Sequence, residues 1–312
     1  MKKFKAAFCN INPESINRVY TAEQKKRIAE ITDFMPEILT PENFDTFNTA
    51  EVEVIFSTWG MMKFTPEQLK KLPNLKAVFY GAGATEYFAL PIVQNGIKLS
   101  SAWQANAVPV AEFTLAQIIL SMKNYFSNSW HNHITGPGCY GETVALIGDG
   151  AISRRLQNML KNYDLKVLVV PTDLTKTTIS LEEVFKTAYV ISNHLPNSEF
   201  NRKVITKEMF ASMRQGATFI NTGRGPQIDE EGLIEVMKSR PDLTALLDVL
   251  VTEPPAEDSE LYKVPNIRMT SHIAGSLNDE VHRMADYMID EYIRFASGEE
   301  LKYEVFEEFL LK

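Results

Sequence analysis

The sequence predicts an α/β protein made of two successive layers of parallel strands and helices, and three observations predict it. Through the first hundred residues, short apolar runs alternate with capped helical stretches. A long apolar stretch at 106–124 then reads as a largely buried helix. After a polar connection, a second alternation opens at Thr143-Val-Ala-Leu-Ile-Gly-Asp-Gly-Ala-Ile-Ser153 and runs toward the C-terminus.

In chain order, 3–9 reads as a first strand. Thr21-Ala-Glu-Gln24 has the form of a capping box and opens a helix through 34. Strands follow at 51–56 and 75–80, with a short helix between them at Thr65-Pro-Glu, where proline occupies the first turn. The third strand runs into Gly81-Ala-Gly-Ala-Thr85. A short helix at 91–95 closes at Gly96, and 97–100 is the next strand. The helix at 106–124 carries Val110, Phe113, Leu115, Ile118, Ile119 and Met122 at helical spacing. The stretch 125–140 is rich in Asn, Ser, Gly and Pro and reads as a connection.

The second alternation has strands at 144–147, 166–170, 189–192, 217–221, 243–247 and 267–270. Helices are expected from 151, from 180, and over 206–213 and 229–239. A final helix over 277–296 leads to a charged tail.

The turn after the first of these strands carries Gly148 and Gly150. The first glycine can take a backbone conformation closed to other residues, and the second lets the chain approach a bulky anion. The helix that follows points its free N–H groups and positive end at the turn, which suits a pyrophosphate. Ser153 stands at the third position of the glycine pattern.

Composition narrows the class. Of 312 residues, 45% are hydrophobic and 23% charged, as in a globular protein long enough for two domains. With 32 basic against 40 acidic residues the net charge is −8, and no basic tract stands out, which argues against a nucleic-acid surface. Cys9 and Cys139 make neither a disulfide framework nor a metal-ligand spacing, so no metal is expected. The N-terminal apolar run is too short for a signal peptide, and no apolar run approaches the roughly 20 residues that span a bilayer. The expectation is a reduced, cytoplasmic protein with no membrane partner.

Open parallel sheets bind ligands beyond the carboxyl ends of their strands. His194, the stretch from Asn221 to Arg224, Asp248 and His272 fall at such ends, and Glu253 lies in the loop after Asp248. An arginine, a glutamate and a histidine beside a dinucleotide turn suit hydride transfer to a 2-oxo acid. That reaction needs a proton donor for the carbonyl oxygen, a cation for the carboxylate and a nicotinamide face. His272 fits the acid–base, with Glu253 favouring its imidazolium form. Arg224 fits the carboxylate clamp. Each residue also has a structural reading. A strand-end histidine serves as a satisfied polar group, a loop arginine caps carbonyls, and a glutamate before Pro254-Pro255 is merely solvated. Residue types alone leave both readings open.

Several blocks carry a resemblance. Asn221-Thr-Gly-Arg-Gly-Pro-Gln-Ile-Asp-Glu230 resembles the Asn-Thr-x-Arg-Gly…Val-Asp-Glu signature of the D-isomer-specific 2-hydroxyacid dehydrogenases. Leu247-Asp-Val-Leu-Val-Thr-Glu-Pro254 is similar to their Leu-Asp-Val-x-x-x-Glu-Pro, Ser271-His-Ile-Ala-Gly275 to Pro-His-Ile-Ala-Gly, and His194-Leu-Pro196 to His-Leu-Pro. Upstream, Asn106-Ala-Val-Pro-Val-Ala-Glu112 resembles Asn-Ala-x-x-Val-Ala-Glu, and Gly81-Ala-Gly-Ala-Thr85 resembles the glycine-containing substrate loop. The blocks keep family order from about residue 75 to 275, while the first seventy-odd residues match only in general plan.

The resemblance implies a Rossmann-type dinucleotide-binding domain, 103–282, inserted in a smaller flavodoxin-like α/β substrate domain formed by 1–102 and 283–312. It implies an NAD(P)-dependent enzyme interconverting a 2-oxo acid and a D-2-hydroxy acid, closing a cleft on its substrate and working as a homodimer through the cofactor domain. By carry-over, Arg224, Glu253 and His272 are catalytic. Gly148, Gly150, Ala151, Ile152, His194, Pro196, Thr222, Arg224, Asp248, His272 and Gly275 hold the cofactor. Ala82, Gly83 and Ala84, through their backbone N–H groups, and Asn106 and Arg224 hold the substrate.

Two departures bear on specificity. The family's acidic residue for the ribose 2′-hydroxyl falls at Pro171, with Asp173 two positions late, so NAD is expected and NADP stays open, with Lys176 or Arg154 as its cations. Ser57-Thr-Trp-Gly60 occupies a loop where phosphoglycerate-type members carry an arginine, which points to a less charged substrate. A second function class on the same fold is a non-catalytic NAD(H)-binding sensor or corepressor-like scaffold. The sequence names neither the particular hydroxy acid nor the physiological direction.

Overall fold

A computed structural model describes residues 2–131 and 133–310. The first elements are β1 (Lys5–Phe8), α1 (Pro13–Val19), α2 (Ala22–Ile31), β2 (Asp33–Phe34), β3 (Val54–Ser57) and α3 (Pro66–Lys70). There follow β4 (Ala77–Tyr80), α4 (Ala89–Gln94), β5 (Lys98–Ser101) and α5 (Trp103–Met122). The chain continues through β6 (Thr143–Ile147), α6 (Ala151–Leu160), β7 (Lys166–Val170), α7 (Leu181–Thr187) and β8 (Val190–Asn193). Then come α8 (Lys207–Ser212), β9 (Thr218–Asn221), α9 (Glu230–Ser239), β10 (Thr244–Leu247), β11 (Ile267–Met269), α10 (His282–Ala296) and α11 (Glu307–Leu310).

The chain divides into two compact units, residues 1–106 with 276–312, and residues 107–275. The sequence placed these boundaries at 102/103 and 282/283.

The first unit holds a five-stranded sheet of order β2-β1-β3-β4-β5, all parallel, which is the flavodoxin-like order. Its central strands β3 and β4 are buried at every position because both faces are covered. Ala7, Ile55 and Val78 face one cluster, while Ala6, Phe56 and Phe79 face the other. Thr21 and Gln24 form the expected capping box of α2, and Thr65 and Gln68 form one on α3. Helix α2 stops at Ile31 and does not run to 34. Asp33 and Phe34 pair with Lys5 and Ala6 as an edge strand, so sheet hydrogen bonds replace the last helical turn.

The second unit holds a six-stranded parallel sheet of order β11-β10-β9-β8-β6-β7. Alternation again feeds two cores. Ala145, Ile147, Ile191 and Phe219 face one side, and Val144, Leu146, Val190 and Ile220 face the other. The strand order reverses at β6, which carries β7 on one side and β8 on the other. A ligand crevice opens at such a reversal.

By length and composition α5 is able to cross a bilayer, which corrects the expectation that no apolar run approaches that length. Of its most apolar window, 61% is buried within the fold, and Ala111, Ile118 and Met122 belong to the core of the second unit.

Candidate active site

Parallel register sets the site. Ile147, Asn193, Asn221 and Leu247 share one row across β6, β8, β9 and β10, and Met269 of β11 completes it. The next residue of each strand therefore opens the carboxyl edge: Gly148, His194, Thr222, Asp248 and Thr270.

Gly148 needs to be glycine twice over. Its φ is +100°, and a Cβ there would lie 2.7 Å from the carbonyl oxygen of His194. Gly150 is different. It is the N-cap of α6, no side chain caps that helix, and nothing lies within 4 Å of an added Cβ. The first turn of α6, with Ala151 and Ile152, thus offers backbone donors beside open room, as a pyrophosphate requires. Ser153 is fully buried, so a small residue does at this position what the sequence expected of a glycine.

The exit of β7 uses its polar groups locally. Thr172 Oγ1 accepts from the Asp149 N–H at 3.0 Å, and Asp149 pairs with Arg154 at 3.4 Å. Asp173 caps its own turn. Hydrogen bonds from Thr175 and Lys176 hold its carboxyl down to about 2.

His194 is buried and neutral, its imidazole pushed down to about 4 by burial. Its Nε2 meets Ser192 Oγ at 2.9 Å, and its Nδ1 meets Thr222 Oγ1 at 3.4 Å. Both ring nitrogens are thus engaged inside the protein, and what His194 brings to the glycine turn is its backbone. Pro196 is exposed, and its carbonyl accepts from Asn201 and Gln227.

Asp248 is 2% exposed, and both of its carboxylate oxygens accept hydrogen bonds. Oδ1 accepts from Thr270 Oγ1 at 2.6 Å and from the Ile273 N–H at 2.8 Å, and Oδ2 accepts from the Ala274 N–H at 3.0 Å. These bonds fasten the segment between Thr270 and Gly275 and hold His272 with φ of +57°, a conformation few non-glycine residues adopt. His272 Nδ1 lies 2.8 Å from Glu253 Oε2, and Glu253 Oε1 accepts from the Leu250 N–H at 2.9 Å. Both side chains are partly exposed, and a cavity of about 490 Å³ lined by Leu250, Pro254, Tyr262 and Met269 opens on the pair.

Arg224 sits on the neighbouring loop. A Cβ added at Gly225 would lie 2.0 Å from the Leu250 carbonyl, so the arginine loop and the Glu253 loop abut. Among the described residues Arg224 pairs with no carboxylate, and its guanidinium donates only to Gly223 O at 2.8 Å.

In the first unit, the loop after β4 is pinned by Ser101 Oγ, which donates to Ala82 O and Gly83 O, both at 2.8 Å. The Ala82 N–H, expected to face a carboxylate, donates instead to Tyr80 O, whereas Gly83 and Ala84 are progressively more open. Asn106 lies beside Gly83 and accepts from the Ser276 N–H at 2.9 Å. Trp59 carries the Arg18 guanidinium 5.3 Å over its ring, so this loop is not without positive charge.

Sequence reasoning missed Ser192, Asn193 and Gln227, which build the buried polar lattice behind this edge. The available signal was a polar pair ending the otherwise apolar run Val190-Ile-Ser-Asn193.

Comparison with known proteins bears on the whole edge. Residues 113–274 match the family model for the NAD binding domain of D-isomer specific 2-hydroxyacid dehydrogenases. The chain is 28% identical over 251 residues to a hydroxypyruvate reductase of Thermotoga maritima, covering 74% of this chain and 81% of the relative. It is 30% identical over 250 residues to an (S)-sulfolactate dehydrogenase of Chromohalobacter salexigens, covering 74% and 81%. In fold it is similar to the apo D-mandelate dehydrogenase of Rhodotorula graminis, with a TM-score of 0.79 at 19% identity over 97% of this chain and 98% of that one.

Proposed function

Because the chain belongs to the D-isomer specific 2-hydroxyacid dehydrogenases, we propose that it interconverts a 2-oxo acid and a D-2-hydroxy acid with His272, Glu253 and Arg224 as the catalytic set. The observation that carries this reading is the 2.8 Å contact of His272 Nδ1 with Glu253. It commits one ring nitrogen to the carboxylate and leaves Nε2 for a substrate oxygen.

NADH, when bound, supplies the hydride to C2. His272 Nε2 gives its proton to the oxygen on C2 during reduction and takes it back during oxidation. Glu253, held by the Leu250 N–H, fixes the tautomer and orientation of the ring. Among the described residues Arg224 pairs with no carboxylate, so its planar fork can bind the substrate carboxylate through parallel hydrogen bonds. The room beside Gly150 and the uncapped start of α6 fit the pyrophosphate of the cofactor. We assign NAD over NADP on local charge. Arg154 and Lys176, the cations that could meet a 2′-phosphate, each stand beside a carboxylate, Asp149 and Asp173. Exposed pairs of this kind are weak, so the preference is expected to be graded.

Relatives reduce or oxidise acids with very different side chains, and Arg18 on Trp59 adds a cation where an uncharged loop was expected. The substrate panel therefore spans glyoxylate, pyruvate, hydroxypyruvate, bulky apolar 2-oxo acids and one bearing a second anionic group, each with NADH and NADPH. For the best substrate, His272→Ala lowers turnover by at least about 10²-fold, the scale of general acid–base catalysis, and leaves NADH affinity nearly intact. Undiminished turnover in that variant would overturn the assignment. The scaffold reading predicts cofactor binding with no turnover of any acid in the panel.

A further inference from the structure

Arg224 is held at both of its backbone polar groups by buried amide side chains. Its N–H donates to Gln227 Oε1 at 3.0 Å, and its carbonyl accepts from Asn221 Nδ2 at 3.3 Å. Asn193 links the two holders, since its Nδ2 donates to Asn221 Oδ1 at 3.0 Å and to Gln227 Oε1 at 2.7 Å. Each amide makes further hydrogen bonds. Asn221 Oδ1 accepts from the Gly223 N–H at 3.1 Å, and Asn193 Oδ1 from the Leu195 N–H at 3.2 Å. Gln227 Nε2 donates to Leu195 O at 2.9 Å and Pro196 O at 2.7 Å. All three amides are between 0% and 1% exposed.

Closing the end of this sheet does not require amides. In the same register row, β6 ends in Ile147 and β10 in Leu247, both apolar and buried. Amides stand only at the ends of β8 and β9, where the His194-Leu-Pro196 turn and the arginine loop leave the sheet. Burying three amides is unfavourable unless every group finds a partner, and here the partners are the backbone of those two loops. Because no carboxylate among the described residues holds the Arg224 side chain, its placement depends on its backbone.

We propose that Gln227 and Asn193 are positioning residues that hold Arg224 in register for the substrate carboxylate. The inference rests on the proposed role of Arg224. It makes Gln227 a determinant of substrate affinity without contact to substrate.

The test uses the full chain as Gln227→Met and as the double variant Asn193→Leu with Gln227→Met, close in shape to the native pair. Gln227→Met leaves the Arg224 N–H and the carbonyls of Leu195 and Pro196 without their amide, and Asn193→Leu also frees the Leu195 N–H, so both variants lose thermal stability and the double variant loses more. Positioning predicts that KM for the 2-oxo acid stays raised about tenfold or more in both variants, the scale of one lost hydrogen bond to a charged clamp, while NADH affinity changes by less than about twofold. It also predicts faster hydrogen exchange at the Arg224 amide. If either variant keeps the native KM despite its lost stability, the amides are structural only and the inference is overturned. If the native protein binds NADH but turns over no 2-oxo acid, the proposed function fails. Exchange at the Arg224 amide then decides the bracket alone, and unchanged protection in Gln227→Met overturns it.

Discussion

At the scale of single residues, His194 carries a pH dependence that is separable from catalysis. Its imidazole is buried among Ser192 and Thr222, and burial lowers its pKa to about 4 from an ordinary 6.5. Below 6.5 the unfolded chain takes up a proton that the folded protein refuses. Stability therefore falls as pH drops from 6.5 to about 4, and below that both states are protonated and the loss stops. The window corresponds to about 3 kcal/mol. Urea unfolding at pH 7 and pH 4.5 is expected to show this loss in the native chain and a much smaller one in His194→Asn. Equal losses in both proteins would mean that His194 is not the group responsible. The residue scale is also where the sequence was most and least legible. Asp248 and His272 stood out because polar residues following apolar strands are visible in one dimension, and Glu253 through its place in the block Leu247-Asp-Val-Leu-Val-Thr-Glu-Pro254. Gln227 did not, because a glutamine in a loop looks solvated until the sheet register brings Asn193 and Asn221 against it.

At the scale of elements, the C-terminal segment proved to be part of the fold. The sequence described a helix over 277–296 and a charged tail. In the structure 278–281 is a 3-10 turn, α10 begins at His282, and the tail returns to the sheet. Glu304 bridges to Ser100 at the β5 edge, and Val305 and Leu310 pack on the core. Two charges of the tail serve this return: Glu304 pairs with Lys98 at 3.1 Å, and Glu307 accepts from Gln94 at 2.8 Å. Glu291 of α10 is 1% exposed and accepts from Ser100 Oγ at 2.7 Å and from the N–H groups of Lys302 and Tyr303 at 3.1 and 3.0 Å. One buried carboxylate thus ties the helix, the edge strand and the tail. Glu291→Ala strands three donors and is expected to cost about 3 kcal/mol, with trypsin or a similar protease releasing the segment after 300 much faster than from the native chain. An unchanged cleavage rate would remove Glu291 from this role. Helix α1 and the two-residue β2 were likewise illegible. The first is only two turns long, and the second has no alternation of its own and exists by pairing with β1.

At the scale of the whole molecule, the two units differ in what a nucleotide does for them. Each has its own pair of apolar clusters on the two faces of its own sheet, so each has the means to unfold cooperatively. The glycine turn, the start of α6 and the NAD binding domain match all lie within the second unit. Cofactor at a hundred times its Kd stabilises the unit that binds it by about 2.7 kcal/mol, or about 5–10 °C for a domain of this size. Calorimetry is therefore expected to resolve two transitions, with NADH raising only one. Gly150→Ala supplies the control. Its Cβ meets no protein atom, so the empty variant should melt like the native chain, yet the methyl occupies the room assigned to the pyrophosphate and should abolish the NADH shift. If both transitions move together with NADH, the units unfold as one body. If Gly150→Ala keeps the full shift, the cofactor does not use the turn at the end of β6.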